Sequence, residues 1–259
     1  MKILCIANQK GGVGKSTLTV HLAYAALEAR KRVLLVDMDK QGSLSLSFPN
    51  PNNRVDPKIA LEASHLYGGL DYTEGRQPIR LSENLSIVRA DMGLLKVDKA
   101  ENEVISRPGQ VLRQFSKDYD ICLIDTPPLL GIRLMASLAA SDYVLTPVNI
   151  GLYELAGLAD LLSTIHVIRT QGFNPRLSHI GILLMKTNTR SGDQKEALVM
   201  LRERYGDSIL PDDLPERAAV RKAVSGRVPV WTSPSGSGHV TAAKEWKKVS
   251  NAILKKVLP

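Results

Sequence analysis

Residues Ala7–Thr17 read ANQKGGVGKST and follow directly on the apolar run KILCIA, Lys2–Ala7. Gly11, Gly12 and Gly14 free the backbone to curl, so that successive N–H groups turn inward on an anion. Val13 and Thr17 complete the loop, and the helix expected from Lys15 adds the positive end of its dipole. A strand, a glycine-rich turn and a helix in that order are the context a phosphate loop requires, with Lys15 for the β- and γ-phosphates and Ser16 for Mg²⁺. A ligand-free glycine turn is the bland alternative, and the GKST ending in this context weighs against it. The stretch departs from G-x-x-x-x-G-K-[ST] in one respect. Gln9 stands where the first glycine belongs, and Lys10 supplies a second lysine.

Outward from this loop, apolar strands alternate with helical segments. RVLLVDMD, NLSIVRA, DYDICLIDTPP, SDYVLTPVN and HIGILLMKTN read as strands. Helices are expected over Lys15 to about Arg30, near Ser106–Phe115, through LADLLSTIHVIRT, over Gln194–Tyr205 and over Val240–Val257, with another helical segment after FPNPNNRVDP. SPSGSGH, Ser233–His239, reads as a loop. Continuous Val/Ile/Leu runs mark strands covered on both faces. The expectation is an α/β fold, a doubly wound and mostly parallel sheet with helices on both faces, formed by residues 1–259 as one domain.

Composition excludes several classes. Cys5 and Cys122 lie in apolar runs and read as small buried hydrophobes, not as a disulfide or metal pair. The histidines show no ligand-like pairing. The start, MKILCIANQ, is too short an apolar stretch for a signal peptide, and no run approaches membrane-spanning length, so a cytoplasmic protein is expected. The net charge of +8 is uneven: residues 1–185 hold 20 Lys and Arg against 18 Asp and Glu, and residues 186–259 hold 14 against 8. A basic last third suggests a polyanionic partner.

Two further strands end in acids. VLLVDMDKQG places Asp37 and Asp39, and CLIDTPP places Asp125, where open α/β sheets bind ligands. An isolated strand-end Asp usually caps a turn; three of them beside a phosphate loop form a constellation. KGGVGKST, DMDKQGS and LIDTPP, together with NLSIVRA, TPVNIGLYELAGL and LPERAAVRKAVSGRVPV, resemble the ParA-type partition ATPases of the deviant Walker A (MinD/ParA) family over nearly the whole chain.

The resemblance implies a P-loop fold, ATP and Mg²⁺ as cofactors, and slow, partner-stimulated hydrolysis to ADP and phosphate. Lys10 would cross to the nucleotide of a second subunit in an ATP-sandwich homodimer. Lys15 and Ser16 would act in cis, Asp39 would position the attacking water, and Asp37 and Asp125 would hold Mg²⁺ through its water shell. Asn188 falls where the family contacts adenine, and the backbone at Leu214 and Pro215 would cover the base's other side. Lys40 stands where the family usually has proline, which would stiffen the switch loop. The chain starts at its first strand, so specific operator binding through an N-terminal extension is not expected.

The resemblance also gives the basic last third a role, non-specific binding of nucleoid DNA by the ATP-bound dimer through Arg217, Arg221, Lys222, Arg227, Lys247 and Lys248, with Lys244, Lys255 and Lys256 nearby. A ParB-like adaptor would then couple the cycle to partition of plasmid or chromosome DNA. A positioner of a non-DNA cargo shares every motif. A MinD-like membrane helix is suggested by Trp246, Val249, Ile253, Leu254 and Val257 interleaved with lysines, although core packing anchored by Trp246 fits the same spacing. An iron–sulfur carrier of the superfamily would need cysteine ligands at an interface, which core cysteines do not offer.

Overall fold

In the structure, a computed structural model describing residues 1–49, 56, 58–151, 154–187 and 192–258, the described strands join in one eight-stranded sheet. Along the chain the elements are β1 (Lys2–Ile6), α1 (Lys15–Glu28), β2 (Val33–Asp37), α2 (Ser43–Ser47), β3 (Ile79–Ser82), β4 (Leu85–Val88), α3 (Leu94–Val97), α4 (Arg107–Gln114) and β5 (Ile121–Asp125). They continue with α5 (Ile132–Ala140), β6 (Tyr143–Asn149), α6 (Glu154–Thr170), β7 (Ser178–Thr187), α7 (Gly192–Tyr205), β8 (Leu214–Pro215), α8 (Ala218–Ser225) and α9 (Ser237–Val257).

The sheet runs β3-β4-β2-β5-β1-β6-β7-β8, parallel throughout except for β3 against β4. β2 and β5 are buried at every residue, because helices cover both faces of the central strands. Each fully buried Ile, Leu or Val there contributes about 1.5–3 kcal/mol of burial. The chain winds from β1 to β2 on one side of β1 and later to β6 on the other. The carboxyl ends of β1, β2 and β5 therefore converge where the winding reverses, the place where open sheets leave a crevice.

The doubly wound, mostly parallel reading is borne out, with local differences. The segment expected to be helical after FPNPNNRVDP forms two short 3₁₀ turns, Ala63–Gly68 and Asp71–Thr73, and residues 50–55 and 57 of that region lie outside the described residues. α9 begins at Ser237, so the SPSGSGH loop ends at Gly236. The edge strand β3, the two-residue β8, and helices α5 and α8 have no counterpart in the sequence reading. The apolar stripe of α9 is covered. Trp246, Val249, Ile253, Leu254 and Val257 are buried in the cluster shared with α1 and β7, so α9 has no apolar face of that kind turned outward. No helix among the described residues is long and apolar enough to cross a membrane.

Candidate functional site

The loop between β1 and α1 is tied down at both ends. The Asn8 side chain donates to the Pro147 carbonyl at 2.6 Å and accepts from the Lys10 N–H at 2.8 Å, fixing the loop's entry to β6. At its exit Gly14 has φ 102, a left-handed conformation that glycine adopts freely, and α1 starts at the next residue. The Lys15 ammonium is buried and folded back on its own loop, donating to the carbonyls of Asn8 at 3.0 Å and Lys10 at 3.1 Å. Burial pushes Lys15 below its ordinary pKa, while Asp125 and Asp39 act against the shift. Lys10 is exposed, and its side chain does not line the cleft described below. Val13 is buried, so only its backbone faces any ligand.

Asp37 and Asp125 sit in register on adjacent strands, both wholly buried. Ser16 Oγ donates to Asp125 Oδ2 at 2.5 Å, and the other carboxylate oxygen, Oδ1, is buried with no hydrogen-bond partner among the described residues. Burial first, and then the neighbouring Asp37, push Asp125 up to about 8. Burial also pushes Asp37 up to about 6, against the hydrogen bonds from the Ser45 N–H and hydroxyl at 2.8 and 2.7 Å. Two buried carboxyls thus share the single ammonium of Lys15, and burial disfavours ionising both at once. A hydroxyl and two carboxyl groups, one of them with an oxygen left without a partner among the described residues, form an oxygen-donor set that suits a small, hard divalent cation. Among the described residues no three His, Cys, Asp or Glu side chains form an all-protein metal cage.

The cleft above these groups measures about 740 Å³. Of the residues singled out in the sequence, Gly11, Gly12, Gly14, Lys15, Ser16, Thr17, Asp39, Leu214 and Pro215 line it. Asp37 and Asp125 lie beneath it. Asn188 is outside the described residues. Sequence reasoning missed Ser45 and Arg89. Arg89 clamps the carbonyls of Ser45 and Phe48 at 2.8 and 2.5 Å and so holds α2 against the switch acids. It also missed Lys186, which reaches the loop from β7. Both arginines are remote in sequence from what they touch, and no local pattern announces them. The second is Arg133, buried at the start of α5, whose guanidinium bonds the Met38 carbonyl at 2.8 Å and Asp98 at 2.7 and 3.0 Å.

The basic residues of the last third are partly engaged already. Arg217 pairs with Glu245, Arg221 with Glu216, Lys247 with Glu28 and Lys248 with Asp212. Arg217 and Arg221 also line the cleft. Lys222, Arg227, Lys244, Lys255 and Lys256 are exposed and make no ion pair among the described residues. Cys5 and Cys122 are free and buried, and burial pushes both thiols up.

Comparison with known proteins agrees with this geometry. A family model described as "AAA domain" matches residues 1–179. Protein IncC of Escherichia coli is 33% identical over 239 residues, 89% of this chain and 63% of the relative, so the chain spans less than two thirds of that protein's length. The chromosome partitioning protein ParA of Myxococcus xanthus is 32% identical over 232 residues, 88% of this chain and 80% of the relative. Among solved structures, a Cyanothece McdA variant in complex with ATP superposes with a TM-score of 0.84, at 22% identity, over 98% of this chain and 96% of its own. With a deviant phosphate loop, two strand-end acids buried beneath it and partition proteins among its relatives, the chain belongs to the ParA branch of the MinD/ParA family.

Proposed function

We propose that residues 1–259 act as one Mg²⁺- and ATP-dependent ATPase domain that dimerises around nucleotide, binds DNA without sequence preference and is stimulated by a ParB-like adaptor to partition DNA. The observation that carries the reading is the buried Asp37–Asp125 pair directly under a loop whose Lys15 and Ser16 face the same cleft. Ser16, with Asp37 and Asp125 through water, would hold Mg²⁺, which when bound neutralises phosphate charge. Lys15 exchanges its two carbonyl partners for phosphate oxygens. Asp39, at the cleft wall with its Oδ1 accepting from the Gln41 N–H at 3.0 Å, orients the attacking water. Lys10, exposed and off the lining, serves the nucleotide of a second copy. The protein works in the cytoplasm on the nucleoid.

Size-exclusion chromatography with ATP, combined with phosphate release, tests the roles. Lys15→Ala should remain monomeric, and Asp39→Ala should stay dimeric because hydrolysis is slowed. Normal hydrolysis by the Asp39 variant would remove the water-positioning role. DNA retention should need ATP rather than ADP and weaken steeply with salt. A second reading, positioning of a non-DNA cargo, is favoured by the pairing of Arg217, Lys247 and Lys248 with acids. ATP-dependent dimers that ignore duplex DNA at low salt would select it.

A further inference from the structure

β7 does not end as a regular strand. Its pairing with β8 shifts register between Met185 and Thr187, and Lys186, the residue between them, has φ 53, in the left-handed region. That conformation costs a non-glycine residue about 1–2 kcal/mol and persists only where the surroundings hold it. A bulge of this kind re-aims a side chain. Here it aims the Lys186 ammonium at the phosphate loop, where Nζ donates to the Gly12 carbonyl at 2.5 Å, 174 residues away in sequence.

The target of this bond is the least crowded of the loop's three glycines. Gly12 has φ +73, and a Cβ built on it would meet nothing within 4 Å, so side-chain packing does not set its orientation. One residue earlier, Met185 comes within 3.0 Å of the Cβ position of Gly14. Residues 185 and 186 therefore grip the loop at two of its glycines, and Lys186 itself lines the cleft.

We propose that Lys186 is a nucleotide-positioning residue acting in cis through Gly12. The ammonium holds the Gly12 carbonyl in a charge-assisted hydrogen bond, which keeps the loop in its curled form before a ligand arrives. Preorganisation of this kind raises affinity by removing an ordering cost at binding. The left-handed strain at Lys186 is the counterpart of that gain. The inference rests on reading the loop as a nucleotide site.

Titration of the full chain with Mg-ATP and with Mg-ADP, alongside thermal melting of each variant, tests it. K186M should raise the Kd for both nucleotides about tenfold, equivalent to about 1.4 kcal/mol, with the loss falling on KM more than on kcat. K186R should recover most of the affinity. K186G removes the backbone strain together with the ammonium, so it should melt no lower than the wild type while losing affinity as K186M does. Wild-type protein that binds neither nucleotide would overturn the nucleotide reading itself. Wild-type binding with K186M or K186G within twofold of it would overturn the latch alone.

Discussion

Replacing Asp125 by asparagine separates the electrostatics of the site from its activity. Asp125 is fully buried, and desolvation together with Asp37 raises its carboxyl from 3.8 to about 8. In the unfolded chain the same carboxyl ionises near 3.8, so between about pH 4 and pH 8 the folded state holds the extra proton. Stability of the nucleotide-free protein therefore falls as pH rises through that window. At 1.36 kcal/mol per pKa unit, raising the pH from 5 to 8 removes about 2–4 kcal/mol once the coupling to Asp37 is allowed for. Asp125→Asn abolishes this term, at a pH-independent cost of about 1–3 kcal/mol for an amide placed where Oδ1 now lacks a partner. Thermal melts at several pH values in that range should show the variant gaining on the wild type by about 5–15 °C from the acid end to the alkaline end. Mg-ATP should flatten the decline of the wild type and leave the variant unchanged. Parallel pH curves for the two proteins would refute the reasoning, whatever their offset.

Three further outcomes follow from the same structure. His21, buried between Trp231 and Trp246 and bonded to Thr17 and Val230, is pushed down to about 4 by burial; its stabilising contribution is present above pH 6.5 and is lost as pH falls towards 4, by about 3 kcal/mol at most, and His21→Gln should blunt the acid limb of the melting profile. Asp98→Ala should cost about 2–3 kcal/mol in urea unfolding, because it leaves the buried Arg133 guanidinium with the Met38 carbonyl as its remaining partner, while the half-exposed Asp98 itself is screened. In DNA-binding titrations Lys222→Ala should lower the slope of log affinity against log salt by about one, and Lys248→Ala by less, since Asp212 already holds Lys248; equal effects would argue against the pairing.

The phosphate loop could be read from the chain because all its parts are contiguous: the apolar run, the glycines and GKST fall within residues 2–17. Asp37 and Asp125 were legible for a related reason, each ending an unbroken apolar run that can only be a covered strand. Helix α5, by contrast, is a short, largely apolar stretch, IRLMASLAA, lying between two strands, and its own helical period was passed over. β8, of two residues, is too short to carry a pattern at all, whereas α8 is as long as the expected α4 and was passed over in a stretch read for its charges. The stripe on α9 had two readings at the level of spacing, and the packing of Trp246 on His21 chose between them.

By itself, then, the sequence determined the class of sheet, the position of the anion-binding loop and the acids that accompany it, since these depend on backbone freedom and periodicity along a short segment. What the tertiary structure decided is everything that rests on two distant segments meeting. Register between β2 and β5 sets Asp37 beside Asp125, so that burial and then Asp37 raise the Asp125 carboxyl, while burial raises Asp37. Packing of α9 beside α8 ties Arg217 to Glu245 and so withdraws part of a basic patch that charge counting treats as free. A bulge at the end of β7 turns Lys186 onto Gly12. The physical reason is the same in each case: desolvation, ion pairing and backbone strain are properties of an environment, and in this chain that environment is supplied by residues distant in sequence.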